Sequence, residues 1–129
     1  MVESDLNNGD QINHRQRLAL LGATVGGHGI KHVFNAAFFV ILPEIKGGLG
    51  LSNSRIGTLA TGRNVAGGLA NLPAGFVADR FSSNRSGILG VSMALIGVFA
   101  LSLGLANTFV AAVLAASFMT AAISFWHPA

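Results

Sequence analysis

The chain has 129 residues, of which 51% are hydrophobic and 10% are charged, with a net charge of +3 and no cysteine. In soluble domains about a quarter of the residues are charged. This composition therefore argues against a soluble domain and indicates a protein that lies in the lipid bilayer. The lack of cysteine excludes disulfides and thiolate metal sites. The basic residues stand singly, which is typical of charges that orient membrane helices and does not indicate a nucleic-acid partner.

Residues 1–17 are polar and are predicted to form a disordered cytoplasmic tail that ends in Arg15 and Arg17. A secretory signal is the competing interpretation, because a basic flank precedes the apolar run that begins at Leu18. Lys31 and a second apolar run follow that stretch in place of a cleavage site. The pattern therefore favours a tail followed by a membrane span.

The first span is predicted over residues 18–42, ending at Pro43 because proline cannot continue the hydrogen bonding of a helix. Its polar residues follow one another at spacings of four, three, one and three, which is expected to place them on one helical stripe. These residues are Thr24, His28, Lys31, His32 and Asn35. The opposite face is predicted to carry Leu21, Val25, Phe34 and Phe38. One side of this helix can then face lipid while the other faces protein or water.

Lys31 lies well inside the first span, where a lysine costs about 2.5 to 3.5 kcal/mol on insertion scales. A place on a polar cavity is favoured over snorkelling to the interface, and an ion pair with another span is the third alternative. His28 and His32 have a spacing that suits a metal, but no carboxylate or cysteine accompanies them and Lys31 would repel a cation. No metal site is predicted. The two histidines are candidates for proton-responsive groups or for simple interhelical donors.

A glycine-rich loop is predicted from Glu44 to Asn53, with Ser52 or Ser54 as the N-cap of the second helix. The second span is predicted over residues 56–78. Small residues recur along it at every fourth position, which allows close packing of helices in lipid. They are Ala66, Ala70, Ala74 and Ala78.

Arg63 is the charged residue within this second span. It either snorkels to the outer interface or faces the same cavity as Lys31. Two cations in one cavity, with no acidic residue inside the spans, favour an anionic or polar-neutral ligand.

The third and fourth spans are predicted over residues 87–106 and 109–129, because no Asp, Glu, Lys or Arg occurs from Gly87 to the end. The fourth span has its own row of small residues. These are Ala112, Ala116, Thr120 and Ser124. His127 and Pro128 lie inside its apolar run, where a proline bends a helix and such a site commonly lines a pathway. Since this helix has no visible end, the chain is expected to be a piece of a longer protein.

Alternating spans place the tail and the turn at residues 79–86 on the same side of the membrane. That side carries Arg15, Arg17, Arg80 and Arg85, and the other side carries Lys46 and Arg55. The positive-inside rule then predicts a cytoplasmic N-terminus and a multi-pass protein of the cell (inner) membrane.

The turn after the second span, Gly75-Phe-Val-Ala-Asp79-Arg80, resembles the loop between the second and third helices of the major facilitator superfamily. The family pattern continues with a glycine and two basic residues, which are replaced here by Ser82, Ser83 and Asn84, and Arg85 supplies one positive charge slightly late. The resemblance implies a twelve-helix fold in two halves, of which this chain is the first four helices. It also implies that Asp79 helps to hold the halves together and that Gly75 permits close helix contact.

A finer resemblance is to the fosmidomycin-resistance branch of that superfamily. It rests on His32-Val-Phe-Asn35, on Leu51-Ser-Asn-Ser-Arg-Ile-Gly57 and on Phe125-Trp-His127-Pro128. Helices one and four line the central cavity in that fold. The resemblance therefore implies that the stripe around Lys31 faces His127 across the substrate path.

The function implied is a secondary transporter that exports a drug or other small molecule, coupled to protons and working by alternating access. Uptake of a small organic anion is the alternative within the same fold. The expected energy source is the proton gradient with no cofactor, and the expected partners are the substrate and the missing C-terminal helices. No enzyme is predicted, since no nucleophile-base pair or metal cluster is present.

A complete four-helix exporter of the small multidrug type, which works as a dimer, is the alternative of another architecture. The first helix of such exporters carries a glutamate as the site for protons and substrate. The first span here carries Lys31 and no acidic residue. This difference favours the major facilitator interpretation.

Overall fold

The computed structural model of the chain describes residues 14–126, which form four α-helices and no strand. The helices are α1 (His14–Gly48), α2 (Asn53–Arg80), α3 (Arg85–Gly104) and α4 (Phe109–Ser124), with a 3-10 turn at Ser82–Asn84. The prediction of an all-α fold is confirmed. Two compact units divide the chain between Ile30 and Lys31, inside α1.

In the first unit, the described residues are the part of α1 up to Ile30. Its large apolar side chains lie on the surface, with Leu18 55%, Leu21 61% and Val25 70% exposed. This segment therefore offers an apolar exterior typical of helices that contact lipid or another helix.

Helix α1 does not end at Pro43, and the prediction that it would is wrong. The helix continues through this proline to Gly48. Proline removes one backbone donor and is costly inside a helix in water, but membrane helices tolerate it. The predicted loop from residue 44 is accordingly shortened to the few residues between Gly48 and Asn53.

Capping interactions define where two of the helices begin. Ser52, one of the two predicted candidates, caps α2 by accepting a hydrogen bond from the Arg55 N–H at 3.3 Å. Thr108 caps α4 in the same way, by accepting from the Ala111 N–H at 3.2 Å. In the loop before α2, Gly50 has a positive φ of 60°, a conformation that glycine adopts without strain.

Helices α2 and α4 pack against each other in the second unit. The α2 side of this contact is built from small residues, and Ala70, Ala74 and Ala78 are buried while Ala66 is half-buried. At Gly67 a β-carbon would lie 2.7 Å from Thr120 Cγ2. The two helices therefore approach closely at a position where α2 has no side chain.

The buried core of the second unit draws its larger side chains from all four helices. These are Phe38 of α1, Leu59 of α2, Ile96 and Leu103 of α3, and Met119 and Ile123 of α4. Phe99 of α3 also stacks on Phe118 of α4, with ring centroids 5.3 Å apart. Beside its backbone contact with α2, helix α4 thus packs on α3 through apolar and aromatic side chains.

Two helical segments within residues 14–126 are long and apolar enough to cross a membrane, namely α1 and the segment Ser82–Gly104 that contains α3. Helix α4 is apolar but has 16 residues. Helix α2 is long enough, but its glycines, asparagines and Arg63 reduce its hydropathy. The four predicted spans thus correspond to four helices, two of which meet the length and composition expected of a span.

Candidate functional site

Four polar side chains are buried among residues 14–126: Lys31, Arg63, Ser92 and Ser124. Lys31 is 1% exposed and Arg63 is 2% exposed, whereas the acidic residues of this range, Glu44 and Asp79, are exposed. Burying a charge is unfavourable unless a partner or ligand compensates for it. The two buried cations are therefore the candidates for a functional site.

Arg63 of α2 reaches across to α1. Its Nη2 donates hydrogen bonds to Asn35 Oδ1 and, at 3.4 Å, to the Asn35 carbonyl oxygen. Its Cζ lies 4.3 Å from the centroid of the Phe38 ring and 5.1 Å from that of Phe39. A guanidinium over aromatic faces gains cation–π stabilisation, and rings that exclude water strengthen its other electrostatic interactions.

The Nε of Arg63 is buried and makes no hydrogen bond within the part of the chain that the structure describes. Most buried donors in proteins are satisfied, and leaving one without an acceptor is costly. Guanidinium groups present their donors in a planar fork that suits two oxygens of one anion. Arg63 thus retains capacity to bind an acceptor beyond Asn35.

Lys31, Asn35 and Phe38 form one row on α1, because spacings of four and three residues bring side chains to the same face. Lys31 and Phe38 are each 1% exposed and Asn35 is half-buried. The prediction that Phe38 lies on the opposite face from Lys31 is therefore wrong. Phe38 lies seven residues after Lys31, which is two helical turns, and that spacing in the sequence already indicated a shared face.

The other polar residues that were predicted to lie on this stripe of α1 are not buried. His28 and His32 are exposed, as is Thr24. His127 lies outside the described residues. No group of three or more His, Cys, Asp or Glu side chains suited to a metal ion occurs within residues 14–126. The structure thus brings Arg63 together with Asn35, with Lys31 one turn away on α1.

The predicted loop motif lies at the end of α2 and the start of α3. Asp79, Arg80 and Arg85 are all exposed. A β-carbon at Gly75 would meet no atom within 4 Å of it among the described residues. The close helix contact of α2 is at Gly67, so the packing role of Gly75 stays a prediction.

A cavity of about 330 Å³ lies between α2, α3 and α4 near this motif. Its lining is almost entirely apolar and includes Val77, Phe81, Ile88 and Val91. The buried Ser92 is the polar residue of α3 in this lining. Sequence reasoning did not single out Ser92, because a lone serine in an apolar helix carries no distinguishing spacing.

Comparison with known proteins gives one match and two negative results. A family model described as Major Facilitator Superfamily matches residues 25–129. No curated protein and no solved structure matches the chain. The matched range contains the second unit, the Arg63–Asn35 contact and the loop after α2.

Proposed function

Because the chain belongs to the major facilitator superfamily of membrane transporters, we propose that it forms the first four helices of a twelve-helix secondary transporter. The transporter exports a drug or other small molecule in exchange for protons and works by alternating access. It lies in the cell (inner) membrane with its N-terminus in the cytoplasm, and the proton gradient serves in place of a cofactor. Members of this superfamily are transporters and not enzymes.

One observation carries this proposal: two cationic side chains, one on α1 and one on α2, are buried. Ionisable groups inside membrane helices are rare, and they commonly mark substrate or ion pathways. Lys31 at 1% exposed and Arg63 at 2% exposed fit this description. We assign the pathway to these two residues with Asn35, and His28, His32 and His127 are the candidate proton carriers because an imidazole can both accept and donate a proton.

The loop motif supports the larger architecture. Asp79 lies in the last turn of α2, where the helix dipole disfavours a carboxylate by about 0.3 to 1 kcal/mol. An exposed carboxylate at this position does not stabilise α2, and an external partner accounts for it better. We assign that partner to the second half of the transporter, with Gly75, Arg80 and Arg85 as the rest of the motif.

The assignment to the fosmidomycin-resistance branch belongs to the same proposal. One of its three motifs, Leu51 to Gly57, coincides with the capped start of α2, where Ser52 accepts from the Arg55 N–H. The family match also favours twelve helices over a dimeric four-helix exporter. The DNA downstream of codon 129 tests this point, because a continuing frame with more apolar segments is expected, and a natural stop codon would contradict it.

The function is tested by reconstituting the full-length protein in vesicles and measuring pH-driven flux of candidate drugs and anions. Lys31→Ala is expected to reduce flux at least tenfold, since it removes a buried charge from the pathway. Val33→Ala is the matched control, because Val33 is on the same helix and is 66% exposed. Equal flux in wild type and Lys31→Ala would remove Lys31 from the pathway, and absence of flux for every candidate would oppose the transport proposal.

Uptake of a small organic anion is the second candidate function. It is favoured by the sign of the buried charges, since both buried ionisable groups among residues 14–126 are cationic. A cationic pathway attracts anions and disfavours cationic drugs. Flux of carboxylates and phosphonates under inward and outward proton gradients separates the two candidates by direction and by charge.

A further inference from the structure

The hydrogen bonding of Arg63 is incomplete in a way that indicates a ligand. Its Nη2 bonds to Asn35, while its Nε is buried and lacks an acceptor within the described residues. Asn35 offers Arg63 a neutral amide oxygen and a main-chain oxygen, the latter at a long 3.4 Å. A carboxylate or phosphonate offers two charged oxygens at the spacing of adjacent guanidinium donors, and such charge-assisted pairs are about twice as strong as neutral ones.

The surroundings of Arg63 also favour an anion. The Phe38 and Phe39 rings lie against the guanidinium at 4.3 Å and 5.1 Å, and they restrict an incoming group to its edge. Lys31 lies one helical turn before Asn35 and adds a second buried positive charge. An oxyanion arriving at this edge would meet the Arg63 cation, and no buried carboxylate among residues 14–126 would oppose it.

We propose that Arg63 is the group that recognises an oxyanion on the substrate. Until the substrate arrives, Asn35 accepts the hydrogen bonds of the guanidinium that the oxyanion will accept. The anion replaces Asn35 on the guanidinium and takes up the Nε donor as well. This exchange breaks the polar link between α1 and α2 at Arg63, while the hydrogen bond from Lys46 Nζ to Asn53 Oδ1 at 2.7 Å still joins the two helices near their connecting loop. Substrate binding is thus coupled to movement of α1 at Asn35. The inference rests on the proposed transport function, and it specifies the substrate class and the residue that moves.

The test measures anion binding by the full-length protein in lipid nanodiscs. Sodium benzoate and sodium methylphosphonate serve as probes, with sodium chloride at equal ionic strength as the reference. A bound ligand raises the unfolding temperature in proportion to its affinity and concentration. We expect at least one of the oxyanions to stabilise the wild type, and the more effective of the two identifies the preferred head group.

Two variants separate recognition by Arg63 from the role of Asn35. Arg63→Lys keeps the positive charge but loses the planar fork, so it is expected to bind the oxyanion about tenfold more weakly. Asn35→Ala removes the competing acceptor, so it is expected to bind the oxyanion about three- to tenfold more tightly. This opposite direction distinguishes a place-holder from a residue that contacts the substrate.

Three outcomes would overturn the inference: no stabilisation of the wild type by either probe, wild-type affinity in Arg63→Lys, or weaker binding in Asn35→Ala. Because Arg63→Lys can change folding as well as binding, Asn35→Ala provides an independent measurement. Transport without oxyanion binding would support the transport function and contradict the assignment of Arg63 as an oxyanion site. Oxyanion binding without any transport would support the Arg63 site and contradict the proposed transport function.

Discussion

The Ser124 hydroxyl of α4 donates a hydrogen bond to the main-chain carbonyl of Gly67 on α2 at 3.0 Å. One turn earlier on α4, the methyl group of Thr120 fills the space where a side chain at Gly67 would be. The two contacts fix the register between α2 and α4. They also show how small residues let helices associate in lipid, where burial of apolar surface gives little driving force.

Gly67→Ala is expected to destabilise the protein by about 1 to 3 kcal/mol, because the new β-carbon would lie 2.7 Å from Thr120 Cγ2. The Thr120 side chain is held by its own hydrogen bond to the Ala116 carbonyl at 2.9 Å. Adding Thr120→Ser keeps this bond and removes the methyl group, so the double variant should regain most of the stability. The free energy of unfolding in detergent measures both effects.

Gly68→Ala is the matched control for this experiment. A β-carbon at Gly68 meets nothing within 4 Å of it, and alanine favours a helix over glycine by about 1 kcal/mol. This variant is expected to be as stable as the wild type or slightly more stable. A similar loss of stability in both variants would attribute the effect to the helix itself and not to the contact with Thr120.

Ser124→Ala is expected to lower the free energy of unfolding by about 0.6 kcal/mol and by no more than about 2 kcal/mol. Hydrogen bonds between membrane helices have this typical strength, and the Gly67 carbonyl lies in the interior of α2, where the helix supplies another donor. Ser102→Ala is the control, since Ser102 is exposed and bonds to the Val98 carbonyl of its own helix. A loss well above this range would indicate that Ser124 has a further role.

Phe38→Ala is expected to cost about 3 to 5 kcal/mol of stability, whereas Phe39→Ala should cost less than about 1 kcal/mol. Both rings contact Arg63, but Phe38 is 1% exposed and Phe39 is 54% exposed. Truncating a buried phenylalanine leaves a cavity in addition to the lost contact. Equal effects of the two substitutions would show that the cation–π contacts outweigh burial at this site.

Gly50→Ala is expected to destabilise the loop between α1 and α2 by about 1 to 2 kcal/mol, because Gly50 has a left-handed backbone conformation. Gly47→Ala is the control, since Gly47 is an exposed residue inside α1 where alanine is the better helix former. The two substitutions should shift the unfolding temperature in opposite directions. An unchanged or raised unfolding temperature in Gly50→Ala would show that the loop adapts without strain.

The sequence predicted the fold better than it predicted the site. The apolar runs and the helix signals identified all four helices, and Ser52 was correctly named among the two candidate caps of α2. The predicted end of α1 at Pro43 was wrong, because propensities derived from helices in water overstate the effect of proline in a membrane helix.

At the site, helical spacing correctly predicted that Lys31 and Asn35 lie on one side of α1. It could not determine which neighbouring residues are buried with them. His28 and His32 were assigned to the same stripe and are exposed, while Phe38 was assigned to the opposite face and is buried. The hydrogen bond between Arg63 and Asn35 joins residues 28 positions apart. Such a contact depends on how two helices are placed, and the periodicity of each helix alone does not contain that information.

The contacts that α2 makes with α4 and with α1 differ in how easily they tolerate a sliding motion. Its contact with α4 at Gly67 involves the main chain, so a sliding motion there would break the close fit at once. Its contact with α1 at Asn35 is made by the long Arg63 side chain, which can change its rotamer and follow a displacement. A shear of about 1 to 2 Å, the usual scale for helices that slide while remaining packed, is therefore expected between α1 and α2 and resisted between α2 and α4.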